Sequence, residues 1–191
     1  MGTCVPLQLM SRVPRSSKSS ISSVAFMEDE RIASLRILVA EPYAQLREIM
    51  RDILLRGIGV EEVIEAKNGE EAIATLRDLE CDIAIMDCTM RPVGGVEATQ
   101  RIRSGMESID PYLPVILVSG HAEVAEIIAA RDAGANEYLA KPLSAKILDL
   151  RLNALIKRPR PFIRSDSFFG PDRRRRVKED FAGSDRRGPP V

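Results

Sequence analysis

The sequence predicts an α/β fold in which a doubly wound, five-stranded parallel sheet carries helices on both faces. Between residues 35 and 157, short apolar runs alternate five times with longer segments of helical period. The central runs are too short for helices, and they lack the polar alternation of a strand with one wet face. They are therefore interpreted as strands buried on both sides.

Five strands are predicted, and each is bounded by turn residues or by the start of a helix. The third, 83–87, contains four apolar residues and ends in an aspartate, so it is the clearest buried strand. The fifth is the weakest. In chain order the predicted strands span 37–39, 60–66, 83–87, 115–118 and 136–140.

Five helices alternate with these strands, each with apolar residues recurring at three- and four-residue intervals on one face. Pro42 opens the first helix, Asn68 and Gly69 precede the second, and Val96 begins the third. The last helix is predicted over 143–156. The residues predicted to face inward are Leu46, Ile49, Met50, Ile53 and Leu54; Ala72, Ile73, Leu76 and Leu79; Ala98 and Ile102; Val124, Ile127 and Ile128; and Leu148, Leu152 and Leu155.

Charge is unevenly distributed, although the formal net charge is zero. Residues 31–156 contain 14 bases and 20 acids, whereas residues 157–191 contain 11 bases and 5 acids, so an acidic body precedes a basic tail. Three cysteines without metal-type spacing predict a reducing compartment. No apolar run approaches the roughly 18 residues of a transmembrane helix. We therefore expect a soluble, cytoplasmic protein with no membrane partner.

The chain outside residues 35–157 gives little reason to fold. Residues 1–34 are rich in serine and show no apolar period, so a disordered extension is expected. This basic start also imitates a targeting peptide, and translation beginning at Met27 is a further alternative. Residues 158–191 contain many breakers and few apolar residues, and they are expected to form a disordered basic tail.

The basic tail allows a second interpretation. Phe168 and Phe169 precede the run Arg173–Arg176. A solvated tail explains the arginines most simply. The alternative is an arm that docks through the two phenylalanines and binds an anionic partner or nucleic acid through its arginines.

Polar residues follow four of the five predicted strands. Glu41 follows the first strand, Asp87 ends the third, Ser119 follows the fourth and Lys141 follows the fifth. Because the carboxyl ends of parallel strands form the usual ligand edge of such sheets, these side chains should converge. Two acids could hold Mg²⁺, while a hydroxyl and an ammonium suit phosphoryl oxygens. Taken singly, each could instead be a helix-start acid, a loop cap or a solvated charge.

Further residues around these strand ends belong to one pattern. The pattern comprises Glu41, Asp87 with Met90 and Gly95, Val118 with Ser119 and Gly120, and Tyr138 with Lys141 and Pro142. With this pattern, residues 35–157 resemble the receiver domain of bacterial two-component response regulators, the CheY-like family with its flavodoxin-like fold. The resemblance covers the whole predicted domain.

The resemblance implies a phosphoryl-transfer site. Asp87 would be the nucleophile that takes a phosphoryl group from a kinase phosphohistidine. Lys141 would pair with the phosphoryl oxygens, and Ser119 would move in to hydrogen-bond one of them. Tyr138 would move together with Ser119, although an ordinary half-buried aromatic explains it equally well. The Lys141–Pro142 peptide bond is expected to be cis, as in the family.

The resemblance also implies a Mg²⁺ site formed by Glu41, Asp87 and the backbone carbonyl of Thr89. The family usually has two adjacent acids after the first strand, whereas this sequence has Glu41 followed by Pro42. Alignment through Arg47 puts Glu41 on the first acid, and a one-residue shift would put it on the second. Since one acid is missing in either case, we expect weakened Mg²⁺ binding.

The resulting prediction is a single-domain response regulator in a phosphorelay, which catalyses only its own phosphorylation and dephosphorylation. Its partners would be a sensor histidine kinase or a histidine phosphotransfer protein, and a downstream protein that docks between the fourth and fifth helices. A nucleic-acid partner is not expected. The alternatives are a pseudo-receiver that binds partners without phosphorylation, and a nucleic-acid binder that acts through its tail.

Overall fold

A computed structural model describes residues 31–121, 123–165 and 168–172 of the chain. The predicted disordered extension spans residues 1–34, of which 1–30 lie outside the described residues, as does the arginine run Arg173–Arg176. Residues 31–34 are described and begin with a helical turn in which Ile32 is buried, so the prediction of disorder is wrong there. The elements in order are β1 (Arg36–Ala40), α1 (Ala44–Asp52), a π-helical segment (Ile53–Ile58), β2 (Glu62–Ala66), α2 (Gly69–Asp78), β3 (Ile83–Asp87), α3 (Gly95–Ser104), β4 (Val115–Ser119), α4 (Val124–Asp132), β5 (Glu137–Ala140), α5 (Ala145–Lys157), β6 (Phe162–Ser165) and β7 (Phe168–Pro171).

The first five strands form one parallel sheet in the order β2-β1-β3-β4-β5. Every residue of β3 and β4 is buried, as their apolar sequences require for strands covered on both faces. The doubly wound, five-stranded α/β fold predicted from the sequence is therefore confirmed. Strand order reverses at β1 and β3, which places the carboxyl ends of those strands beside a crevice.

Alternate strand residues enter two separate cores, one on each face of the sheet. Leu38, Met86 and Leu117 pack with apolar side chains of α2, α3 and α4. On the other face, Val39 and Ile85 pack with apolar side chains of α1, the π-helical segment and α5. The two cores hold the strand ends in fixed register, and that register positions the polar residues that follow the strands.

The inward face predicted for α1 is partly wrong. Leu46 and Ile49 are exposed, whereas Arg47 is buried with Met50 and Leu54. The guanidinium of Arg47 donates hydrogen bonds to two carbonyl oxygens of the loop after β1, so burial of this charged side chain is compensated. Apolar spacing could not indicate that a buried arginine, rather than Leu46, faces the sheet.

The inward face predicted for α4 is wrong. Val124, Ile127 and Ile128 are exposed, and the buried residue of the helix is Ala130. Apolar residues surround most of this helix, so their spacing does not distinguish the buried face from the exposed one. Leu79, predicted inward on α2, is also exposed because it lies just beyond the end of that helix. The remaining predicted apolar stripes on α2, α3 and α5 contact the two cores.

Beyond α5 the prediction of disorder is wrong for β6 and β7, which pair as an antiparallel hairpin. The rings of Phe162 and Phe169 pack edge to face against Tyr112, with each pair of centroids 5.2 Å apart. Too few apolar residues follow α5 to form a second core. Phe162 and Phe169 instead pack against the domain that precedes them. Of Phe168 and Phe169, through which the arm was predicted to dock, Phe169 packs on the domain, and binding of an anionic partner stays a prediction.

The hairpin lies at the amino ends of β4 and β5, on the edge of the sheet opposite Asp87. The hairpin lies very close to the turn after α4. A Cβ atom added to Gly170 would lie only 2.8 Å from the Cα atom of Gly134. Among the described residues, none of the helices combines the length and apolar character needed to cross a membrane.

Candidate functional site

The carboxyl edge of the sheet brings Glu41, Asp87 and Lys141 together. Lys141 Nζ lies 2.5 Å from Glu41 Oε2 and 2.5 Å from Asp87 Oδ2. Both carboxylates are buried, with exposed fractions of 1% for Glu41 and 4% for Asp87. Since a buried charge requires a partner, the single ammonium stabilises two acids that would otherwise repel each other.

Burial lowers the pKa of the Lys141 ammonium, but hydrogen bonds to Asp87 and Glu41, together with their charges, outweigh this effect. The pKa of Lys141 therefore lies above its ordinary value, and the side chain remains a cation at neutral pH. Its backbone N–H donates to the carbonyl oxygen of Ser119, which fixes the chain beside β4. The predicted cis peptide bond between Lys141 and Pro142 is confirmed.

The second carboxylate oxygen of Asp87 is held by Thr89. The backbone N–H and the hydroxyl of Thr89 both donate to Asp87 Oδ1, each at 2.7 Å. These two bonds and the contact to Lys141 fix both oxygens of the aspartate in the site. The carbonyl of Thr89 was expected as a metal ligand, and its two hydrogen bonds to Asp87 are an addition from the structure.

Arg47, which was not predicted as a site residue, holds the loop after β1 through hydrogen bonds to its backbone. Its guanidinium lies 2.7 Å from the carbonyl oxygen of Glu41 and 3.2 Å from that of Pro42. The same side chain pairs with Glu65 at 3.2 Å. Glu41 Oε1 also accepts a hydrogen bond from the N–H of Tyr43 at 3.2 Å. Glu41 is therefore positioned through both its backbone and its side chain.

Ser119 lies at the predicted edge, but its hydroxyl hydrogen-bonds away from Asp87. Ser119 Oγ donates to Glu126 Oε2 at 2.9 Å and accepts from the N–H of His121 at 3.1 Å. The structure thus brings two of the three predicted catalytic side chains into contact with each other, while the third binds a carboxylate on α4. Glu126 was not among the predicted site residues, because the sequence does not show which residue an acid on a helix will bind.

Tyr138 shares this network. Its hydroxyl lies 2.6 Å from the carbonyl oxygen of His121 and 3.2 Å from Glu126 Oε2. Burial is the main cause that raises the pKa of the Tyr138 phenol; the nearby Ser119 hydroxyl acts in the opposite direction, and the hydrogen bond to the Glu126 carboxylate raises the pKa further. The two predicted switch residues are therefore linked through one acid in the site.

Cys88, which follows Asp87, is half-buried beside the site. Burial raises the pKa of its thiol to about 12, and the charges of Asp87 and Glu126 add to the effect. The thiol is therefore protonated at neutral pH.

The donor set agrees with a Mg²⁺ site of low charge. Glu41 and Asp87 already converge on one cation, the Lys141 ammonium, and their carboxylates offer the oxygen ligands that Mg²⁺ prefers. In residues 31–121, 123–165 and 168–172, no cluster of three or more His, Cys, Asp or Glu side chains could hold a metal. Two carboxylates and backbone carbonyls suit Mg²⁺, which commonly binds one or two protein carboxylates and keeps several waters.

Comparison with known proteins agrees with this geometry. The family model of the response regulator receiver domain matches residues 37–153. The chain is 30% identical over 125 residues to chemotaxis protein CheY-3 of Vibrio cholerae, which covers 65% of this chain and 94% of that protein. It is 33% identical over 122 residues to chemotaxis protein CheY of Thermotoga maritima, covering 64% of this chain and 98% of that protein.

Solved structures show the same fold. A two-component response regulator of the LuxR family from Aurantimonas is 29% identical, with a TM-score of 0.59 over 65% of this chain and 86% of that chain. The receiver domain of a sensor histidine kinase from Pseudomonas aeruginosa is 26% identical, with a TM-score of 0.55 over 63% of this chain and 95% of that chain. That structure holds a magnesium ion coordinated in its active-site cleft. The chain therefore belongs to the CheY-like response regulator receiver domain family of two-component signalling.

Proposed function

We propose that this receiver domain accepts a phosphoryl group on Asp87 from a histidine kinase or a histidine phosphotransfer protein. The observation that carries the proposal is the contact of one ammonium, Lys141 Nζ, with both Asp87 and Glu41. A buried carboxylate beside a cation has the nucleophile and the charge stabilisation that phosphoryl transfer needs.

In the proposed step, a carboxylate oxygen of Asp87 attacks the phosphorus of a phosphohistidine. The new O–P bond forms as the P–N bond breaks, and the donor histidine, protonated on its other ring nitrogen, leaves as neutral imidazole. Water later attacks the same phosphorus, inorganic phosphate leaves and the Asp87 carboxylate is restored. The protein thus catalyses only its own phosphorylation and dephosphorylation.

Charge balance supports a divalent cation in this site. After transfer, Glu41 and the phosphoryl dianion carry three negative charges, while Lys141 carries one positive charge. When bound, Mg²⁺ supplies the two positive charges that balance the remainder. Glu41, Asp87 and the carbonyl oxygen of Thr89 would hold it, and binding would be weak because Pro42 has no side-chain oxygen.

Output through a protein partner fits the surface between α4 and α5. Exposed apolar side chains on these helices are unusual enough to favour a docking function. They are Val124, Ile127 and Ile128 on α4, and Ile147 and Leu150 on α5. Tyr138, on β5 between the two helices, connects this surface with Ser119 through Glu126.

The test is intact-protein mass after incubation with acetyl phosphate and Mg²⁺. The wild-type chain should gain the mass of one phosphoryl group, and hydroxylamine should remove it as expected for an acyl phosphate. Asp87→Asn should gain none. Asp78→Asn, a matched change of an exposed acid at the end of α2, should label like the wild type.

Pro42 favours a second candidate, a pseudo-receiver that binds partners without phosphorylation. This candidate predicts no adduct from acetyl phosphate or from a phosphorylated histidine kinase, and unchanged partner binding in Asp87→Ala. An adduct that disappears in Asp87→Asn would exclude it, whereas its absence with every donor would contradict the phosphoacceptor proposal.

A further inference from the structure

One carboxylate oxygen on α4 lies within hydrogen-bond distance of two side-chain hydroxyls of the site. Glu126 Oε2 lies 2.9 Å from Ser119 Oγ and 3.2 Å from the hydroxyl oxygen of Tyr138. Glu126 is half-buried, so water screens its charge only in part. Hydrogen bonds to an ionised acceptor are shorter and stronger than those between neutral groups. Glu126 is therefore well placed to restrain Ser119, and it is a second acceptor for Tyr138, whose hydroxyl makes a shorter contact of 2.6 Å with the carbonyl oxygen of His121.

The hydroxyl of Ser119 has one proton and can donate only one hydrogen bond at a time. In this structure it donates to Glu126, and its oxygen already accepts from the N–H of His121. A phosphoryl oxygen on Asp87 would need the same proton. Phosphorylation therefore requires Ser119 to leave Glu126, and that loss also removes one end of the link to Tyr138.

We infer that Glu126 is a positioning residue that stabilises the unphosphorylated arrangement and competes with the phosphoryl group for the Ser119 proton. The inference rests on the proposed function, because the competing acceptor is the phosphoryl group of Asp87. The free energy of the Ser119–Glu126 bond sets the fraction of molecules in which Ser119 is free to bind it. Removing the carboxylate raises that fraction and with it the apparent affinity for a phosphoryl group.

A first experiment tests the restraint without any phosphorylation. The chain contains three tyrosines, so 3-fluorotyrosine labelling gives three ¹⁹F resonances, and Tyr138→Phe identifies one of them. In Glu126→Ala the Tyr138 resonance should shift and broaden, while those of Tyr43 and Tyr112 stay unchanged. Glu123→Ala is the matched control, since this exposed acid at the N-cap of α4 makes no side-chain cap hydrogen bond. An unchanged Tyr138 resonance in Glu126→Ala would overturn the restraint.

A second experiment tests the competition by titrating the same labelled proteins with beryllofluoride in the presence of Mg²⁺. Loss of one charge-assisted hydrogen bond from the unbound state should lower the apparent Kd about tenfold in Glu126→Ala. In a Ser119→Ala background, Glu126→Ala should change the apparent Kd by less than about twofold, because the hydroxyl proton for which Glu126 and beryllofluoride compete is absent. Glu123→Ala should bind like the wild type.

The outcomes separate the two proposals. An equal effect of Glu126→Ala with and without Ser119 would overturn the competition, because a purely structural role needs no serine. A wild-type chain that neither binds beryllofluoride nor gains a phosphoryl group would overturn the proposed function and the competition with it. Whichever of these results is found, the Tyr138 resonance shows independently whether Glu126 restrains Tyr138.

Discussion

Arg103 lies against the ring of Phe162, with its guanidinium carbon 5.0 Å from the ring centroid. This contact joins α3 to the C-terminal hairpin. The guanidinium also donates to the carbonyl oxygens of Gly134, Pro111 and Leu113 and to the side chain of Asn136, at 2.8 to 3.0 Å. Burial lowers the pKa of Arg103 to about 10, so it is still a cation at neutral pH.

Replacing Arg103 should destabilise the domain strongly, because its buried carbonyl partners would lose their donors. We expect Arg103→Met to lower the free energy of unfolding by about 2 to 4 kcal/mol, measured by urea titration of the circular dichroism. Arg101→Met is the matched control on the same helix. Arg101 pairs with Glu107 near the surface, so its loss should cost less than about 1 kcal/mol. Equal losses would contradict this interpretation of the buried guanidinium.

Alanine substitutions at two glycines with left-handed backbone test whether the hairpin packs tightly against the turn after α4. Gly134 has a φ of +89° and Gly105 a φ of +70°, so alanine is strained at both by about 1 kcal/mol. A Cβ at Gly134 would lie 2.7 Å from the carbonyl oxygen of Phe169, whereas a Cβ at Gly105 would have nothing within 4 Å. Gly134→Ala should therefore cost clearly more stability than Gly105→Ala.

The same pair gives a local measurement of hairpin docking. Trypsin should cleave after Arg164, within β6, faster in Gly134→Ala than in the wild type, because an undocked strand is accessible to the protease. Gly105→Ala should be cleaved at the wild-type rate. Equal cleavage of both variants would show that the hairpin tolerates a methyl group at this turn.

Supplying the missing acid should strengthen metal binding. Pro42→Asp adds a carboxylate directly after Glu41, and we expect the Kd for Mg²⁺ to fall about tenfold by calorimetric titration. Ala44→Asp adds the same charge two residues later, at the exposed start of α1, and should change the Kd little. If both variants bind Mg²⁺ equally well, the gain is a general charge effect and position 42 is not a ligand position.

The thiol of Cys88 should make stability depend on pH in the alkaline range. Its pKa is raised to about 12 in the folded chain from an ordinary value of 9.0, chiefly by burial. Between these values the unfolded chain releases the proton while the folded chain keeps it, so stability falls as pH rises above about 9. In Cys88→Ala, urea titrations from pH 8.5 to 10.5 should show a shallower fall. The same slope in wild type and variant would disprove this assignment.

The parts of the site that backbone topology determines could be predicted from the sequence. A run of four buried apolar residues identifies β3 almost without ambiguity, and the acid that follows must then emerge at the carboxyl edge. Lys141 follows β5 in the same way, and the contact with Asp87 results from strand order alone. Glu41 follows β1 and was located in the same way, although the next residue, Pro42, supplies no second acid.

Side chains whose role depends on a distant partner could not be predicted. Arg47 and Glu126 lie on helices where charged residues usually face solvent, and only the folded chain brings each to its acceptor or donor. The hairpin was missed for a related reason. Phe162 and Phe169 cannot form a core by themselves, and no local pattern indicates that Tyr112 is their packing partner.

The position of the hairpin in the chain also determines when the domain can be completed. Residues leave the ribosome from the amino terminus onward, so the five-stranded sheet and α5 can assemble before β6 and β7 have been synthesised. All four hydrogen-bond partners of Arg103 precede the hairpin in the sequence, and its guanidinium can therefore be fixed early. Phe162 and Phe169 are therefore synthesised after Tyr112, the ring against which both of them pack.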